Sequence, residues 1–177
     1  VVYSVINQMA TKTASIPFYI VDKKKKQPGK KQIKAFANEI GVEIDLPLKR
    51  PNPNQTWGEL IYLYKTFIRS TGNAYFYMVR PESGNDAGRP MALYLLPSQY
   101  VNIVLKPDAK MLTLGDPIDY YTLIYGDWYI KFMAADVIHI KYANPNYDQS
   151  GSQLYGFAPL APILSNIEIS LALKNTR

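Results

Sequence analysis

Two periodicities alternate along the chain. From Trp57, apolar residues recur at Leu60, Ile61, Tyr64, Phe67 and Ile68, the i, i+3, i+4, i+7 stripe of an amphipathic helix. Thr56 is placed to cap it and Glu59 completes a capping box. Before the cap stands Arg50-Pro51-Asn52-Pro53, where two prolines fix φ and hold their neighbours out of helical geometry, predicting a stiff approach. Gly72 ends the helix, as a left-handed C′ residue does. Composition then switches to a Tyr/Phe/Val-rich strand over residues 73–80.

The same reading extends in both directions. Val2, Val5, Ile6, Met9 and Thr13 share one face of a helix ending at Ile16-Pro17, and Phe18 to Val21 reads as a short strand. Ile33, Phe36, Ala37 and Ile40 have helical spacing up to Gly41. After the strand at 73–80, the Gly/Asn/Pro-rich run 81–90 predicts a hairpin loop, with a return strand from Met91 to Leu96. Further strands are predicted over 100–105, 120–125, 128–132 and 137–141, with Gly126-Asp127 as a primed two-residue turn. A polar loop over 144–156 precedes a final helix entered near Pro159, with Leu160, Ile163, Leu164, Ile167 and Leu171 on its apolar face. The expectation is one α+β unit over residues 1–177: a mixed or antiparallel sheet with hairpins, packed by amphipathic helices.

With 47% hydrophobic residues the chain can bury a proper core. Tyrosine is abundant, 15 against 6 Phe, and its amphipathic ring suits half-buried sheet faces and subunit interfaces. The net charge of +6 is local. Residues 22–34 carry seven lysines against Asp22 alone, which accounts for the whole excess, so the rest of the chain is neutral. A lysine tract centred on Pro28-Gly29 reads first as a solvated loop. As a nucleic-acid contact its candidates are Lys23, Lys24, Lys25, Lys26, Lys30 and Lys31, which define the alternative reading: a small basic nucleic-acid-binding α+β domain. No apolar run approaches the ~20 residues of a membrane span.

The residues give no support to catalysis. Cysteine is absent, which removes thiol nucleophiles and Cys-ligated zinc. His139 is the single histidine, and in a Val/Ile strand it reads as a hydrogen-bonded structural residue. Gly151-Ser152-Gln153 lacks the second glycine of a nucleophile elbow. Pro28-Gly29-Lys30-Lys31 is no phosphate loop, because Lys24 stands where the first glycine is required. Asp119, Asp127, Asp136 and Asp148 are scattered over turns, where capping accounts for Asp127 and Asp136. No catalytic residue, metal ligand or cofactor site is assigned. Tyr75, Phe76, Tyr77 and Tyr94 could stack bases, but with Met78, Val79, Leu93 and Leu95 around them they read as a packed sheet.

Six segments, in order, resemble the portal proteins of tailed bacteriophages. Val2-Tyr3-Ser4-Val5-Ile6-Asn7 through Ala14-Ser15-Ile16-Pro17 is similar to that family's N-terminal segment, and Arg50-Pro51-Asn52-Pro53 with Trp57 to its R-P-N-P…T-W element. Gly72-Asn73-Ala74-Tyr75 matches its G-N-A-Y strand start, and Leu93 to Pro97 with Val101 resembles its L-x-P strands. Asp136-Val137-Ile138-His139-Ile140 matches D-V-I-H-I. Leu154-Tyr155-Gly156-Phe157-Ala158-Pro159-Leu160 resembles x-Y-G-x-S-P-L, with Ala158 in place of Ser.

The resemblance implies a structural subunit and not an enzyme. It implies a homo-oligomeric ring, twelve-fold in the family's usual form, at the portal vertex of the virion capsid, assembled in the host cytoplasm. Double-stranded DNA passes through such a ring non-specifically during packaging and ejection. Its expected partners are a terminase motor, the major capsid protein and head-completion or connector proteins. Residues 1–177 would be the wing or body, with stem and clip regions following residue 177. Trp57, Tyr64, Tyr75 and Tyr155 are the candidate architectural or subunit-interface residues, and a buried Trp57 would cost about 3–5 kcal/mol on truncation to alanine.

Overall fold

A computed structural model describes residues 2–16, 50–107, 109, 115–148, 151–160 and 162. Helix α1 spans Val2–Ala14 and α2 spans Trp57–Thr71. The strands are β1 (Asn73–Val79), β2 (Ala92–Leu96), β3 (Val101–Leu105), β4 (Ile118–Tyr125), β5 (Trp128–Met133) and β6 (Val137–Lys141). They form two antiparallel three-stranded sheets, ordered β2-β1-β6 and β3-β4-β5. The predicted strand over 18–21, the helix over 33–40, the lysine tract and most of the final helix lie outside the described residues. Pro159 and Leu160 form a turn, and Pro162 is helical.

The local chemistry of α2 follows the sequence closely. The Thr56 Oγ1 accepts from Glu59 N at 3.3 Å, and Thr56 N donates to Glu59 Oε2 at 2.6 Å, closing the capping box. These bonds hold the Glu59 carboxyl below its ordinary pKa. Gly72 caps the far end at φ 78°. The proline-rich lead is a splint on β2: Pro51 is fully buried, its carbonyl accepts from Leu93 N at 2.6 Å, and Asn52 Nδ2 donates to Leu93 O at 2.9 Å.

Strand alternation builds the layers. One face of β1 carries Phe76, whose ring lies 5.6 Å from that of Tyr64 on α2. The other face carries Tyr75 and Tyr77, which meet Tyr121 at 5.6 Å and Phe132 at 4.7 Å in the second sheet. Tyr121 and Phe132 are themselves cross-strand partners. Strand β1 therefore runs across β4 and β5 rather than along them, a crossed packing of two sheets. The core between the sheets is Tyr75, Leu96, Val101, Tyr121, Phe132 and Val137. Leu60 and Ile68 of α2 are buried, and α1 packs against α2 through Ile6 and Ala10. Tyr62 OH donates to Asn7 Oδ1 at 2.8 Å across the two helices. Gly126 takes φ 57° between the paired Tyr125 and Trp128, the geometry of a type II′ hairpin turn.

Candidate functional site

The densest polar construction among the described residues is a clasp at the start of β1. Asn73 is buried and sits directly after the glycine that ends α2. Its Oδ1 accepts from Gly156 N at 2.6 Å and from His139 Nε2 at 3.0 Å, which fixes the proton of the neutral imidazole on Nε2. Its Nδ2 donates to Thr71 O at 2.8 Å and to Gly156 O at 3.4 Å. One side chain thereby joins the end of α2, strand β6 and the segment 151–157.

Both glycines are required by space. A Cβ on Gly156 would overlap the Gly72 carbonyl, and one on Gly72 would press on the backbone of Phe157. The two chains cross backbone to backbone. Further bonds tie the same segment down. Tyr155 OH accepts from Ile103 N at 2.8 Å, Asn144 Nδ2 donates to Ser152 O at 2.9 Å, and Lys141 Nζ donates to Leu154 O at 2.8 Å. The Ser152 hydroxyl and backbone N–H both bond the Asp148 carboxylate, which caps this turn.

His139 completes the clasp from the core side. Its ring stacks on Tyr75 at 4.3 Å and meets Tyr121 edge-on at 6.0 Å. Burial, reinforced by Lys141, pushes its pKa down to about 4, so the ring is neutral near pH 7. Burial likewise raises Tyr75 well above its ordinary value and pushes Tyr121 up to about 12. All three rings are held in their uncharged forms, which suits a structural knot.

The sequence candidates fall in different places. Tyr75 is 0% exposed and belongs to the core of this chain, with no surface to offer a neighbour. Tyr155 is half-buried and anchors the clasp through its hydroxyl. Tyr64 is half-buried between α2 and β1. Trp57 is half-buried at the first turn of α2. Lys23, Lys24, Lys25, Lys26, Lys30 and Lys31 lie outside the described residues. The sequence reading passed over Asn73 and Gly156 as a pair, although both stood inside quoted motifs. The available signal was an asparagine directly after a helix-stopping glycine, together with a lone glycine between Tyr155 and Phe157.

Two clefts are lined by described residues. One of about 530 Å³ is lined by Tyr77, Glu82, Lys131 and Met133 together with Arg80 and Asp136, which pair at 3.5 Å. Its charges balance, so it favours neither anion nor cation. The other, of about 250 Å³, is mainly apolar. Among the described residues no three His, Asp or Glu side chains gather to hold a metal, and no helix is long and apolar enough to cross a membrane.

The described residues thus form an α+β body held by a clasp. The phage portal protein family matches residues 1–177, and the chain belongs to that family. The fold recurs in solved structures. One is from the neck of an empty GTA particle computed with C6 symmetry: TM-score 0.63, 21% identity, covering 94% of this chain and 38% of that one. A second is from the neck of a native GTA particle computed with C12 symmetry: TM-score 0.61, 20% identity, covering 94% and 37%. A third is from the virion of a native gene transfer agent particle: TM-score 0.63, 21% identity, covering 98% and 39%. The chain thus spans less than two fifths of the length of these solved chains. No curated protein matches it.

Proposed function

We propose that this chain is the wing or body segment of a portal subunit. Copies assemble as a homo-oligomeric ring, twelve-fold in the expected form, at one vertex of the virion capsid. Double-stranded DNA passes through the ring during packaging and ejection. The subunit performs no catalysis, since ATP hydrolysis belongs to the terminase motor that docks on the ring, and head-completion proteins later take the motor's place. Stem and clip follow residue 177, and they line the tunnel and meet the motor. The observation that carries the reading is the family match over the whole chain. It is supported by the architectural character of every polar cluster described above, and by the necks with C6 and C12 symmetry in which similar folds occur.

A ring subunit needs a closing head-to-tail interface, and a conduit needs only weak contact with phosphates, because tight neutralisation would hinder sliding. A chain neutral outside one lysine tract suits the second demand. Native mass spectrometry of the full-length protein tests the reading. A closed oligomer of a dozen or so copies is expected; a protein that stays monomeric at micromolar concentration would remove it.

A further inference from the structure

The crossed packing of the two sheets leaves each with an overhang. Residues 121, 123 and 125 of β4 and 128, 130 and 132 of β5 share the face turned toward β1. The inner end of that face is core, through Tyr121 and Phe132. Its outer end is not covered: Tyr125 is 59% exposed and Trp128 is 69% exposed. The Gly126-Asp127 turn holds these two rings at the tip, and Tyr100 fixes their position by packing on Tyr125 at 4.8 Å. An exposed aromatic cluster of this kind marks an interaction surface.

The first sheet overhangs in the other direction. Val79, Ala92 and Tyr94 lie on the sheet face that turns toward β3–β5, beyond the point where Tyr77 meets Phe132. There they line the apolar cleft of about 250 Å³, with Met91 and Pro53 along its walls and the exposed Arg50 at its rim. The volume is below that of pockets for drug-sized ligands, roughly 300–1,000 Å³, and suits one large side chain.

Within one chain the tip does not fill the cleft: Tyr125 and Trp128 stay exposed, and neither lines it. Tyr100 follows Leu96, the β2 residue paired with Tyr75, and packs on Tyr125, so the β4 side of the tip lies toward the Tyr75 end of the β1–β2 hairpin. The cleft stands at the Val79 end, about 13 Å along β1 at ~3.3 Å per residue. A surface carrying a knob at one end and a hole at the other is the arrangement of a head-to-tail contact, which closes into a ring when the rotation per copy is a whole fraction of a turn.

We infer that the β4–β5 tip of one copy, led by Trp128 and Tyr125, seats in the Pro53–Val79–Met91–Tyr94 cleft of the next copy, with Asp127 facing Arg50. The contact continues between copies the sheet-on-sheet packing that builds the core within each one. The occupant is a second copy of this chain for two reasons: the exposed face of each sheet is the same face that packs on the other sheet, and the acidic turn meets a basic rim. A buried Trp beside Pro, Met and Tyr, with a charge pair at its edge, has the composition of an interface hot spot. The inference rests on the ring reading above and adds to it which surfaces meet.

Cross-linking of the full-length protein tests it. The chain has no cysteine, so Asp127→Cys and Pro53→Cys, both at exposed positions, add reactive groups only at the tip and the cleft wall. Treated with a short bismaleimide, the double variant is expected to give a ladder of covalent oligomers on a denaturing gel, and neither single variant should. Charge reversal is the second readout: D127R and R50D should each lower the fraction of closed rings several-fold, and their combination should restore it. Rings that form normally with no ladder, and with no response to either reversal, would overturn the proposed contact while leaving the ring reading intact. A wild-type protein that forms no ring would overturn both.

Discussion

Replacing Asn73 with alanine should be the most damaging small change in this fold that removes no hydrophobic surface. The side chain accepts from Gly156 N and His139 Nε2 and donates to Thr71 O, at 2.6, 3.0 and 2.8 Å. Alanine leaves Gly156 N–H without its acceptor, at about 1–3 kcal/mol for a buried donor, and forfeits about 1 kcal/mol for each remaining bond. The expected loss is about 3–4 kcal/mol. For a chain of this size that is a fall in Tm of roughly 10 °C, at ~2–4 °C per kcal/mol. Urea unfolding followed by circular dichroism measures it, with Asn85→Ala in the exposed loop as a control expected within about 0.5 kcal/mol of wild type. Gly156→Ala, which forces the Gly72 crossing apart, should cost a similar amount. Combined with Asn73→Ala it should cost much less than the sum, because both changes open the same clasp. A loss below about 1 kcal/mol for Asn73→Ala, or full additivity with Gly156→Ala, would show that the clasp does not hold these segments together.

Three further predictions follow from the same core. Burial depresses His139 to about 4, so the unfolded chain takes up a proton first as pH falls from about 6.5. Stability is therefore full above pH ~6.5 and declines toward pH ~4; because the ring is half-buried and solvent screens its charge, the loss is about 1–2 kcal/mol. A His139→Gln variant should remove most of that slope in pH-dependent unfolding, and an unchanged slope would contradict the assignment. The hydroxyl of Tyr75 is buried with no hydrogen-bond partner, so Tyr75→Phe should keep stability or raise it by up to about 1 kcal/mol in the same denaturation assay; a loss above 1 kcal/mol would reveal a partner. Trp57→Ala should cost about 1–2 kcal/mol, below the ~3–5 kcal/mol of a fully buried aromatic, and a larger loss in thermal melts would indicate deeper packing.

Much of the fold was legible in the sequence because its signals are local. The capping box at Thr56 and Glu59, the glycine stop at Gly72 and the Gly126 turn each depend on neighbours within a few residues, and each appears where the spacing places it. Strand alternation was readable too, but the face toward the core was not. His139 points inward onto Tyr75 while Ile138 and Ile140 remain exposed, the reverse of what polarity alone suggests. The pairing that turns the histidine inward comes from Asn73, 66 residues away, and no period reports it. Division into two crossed sheets was hidden for the same reason, since hairpin composition does not say which hairpins share a sheet. Tyr75 shows the limit most plainly: a tyrosine reads equally well as interface or core, and its neighbours in space put it in the core. The candidate site followed the same rule. The G-N-A-Y, D-V-I-H-I and Y-G segments were each recognisable, and their convergence into one clasp became visible only in three dimensions.

The central claim is that these residues form the body of a ring-forming portal subunit. Electron cryomicroscopy of the full-length protein tests it most directly. The account predicts a closed ring in which every subunit carries residues 50–157 as two crossed sheets backed by α2, with Gly72 and Gly156 in contact. A monomeric protein, or a ring in which this segment adopts another fold, would contradict it.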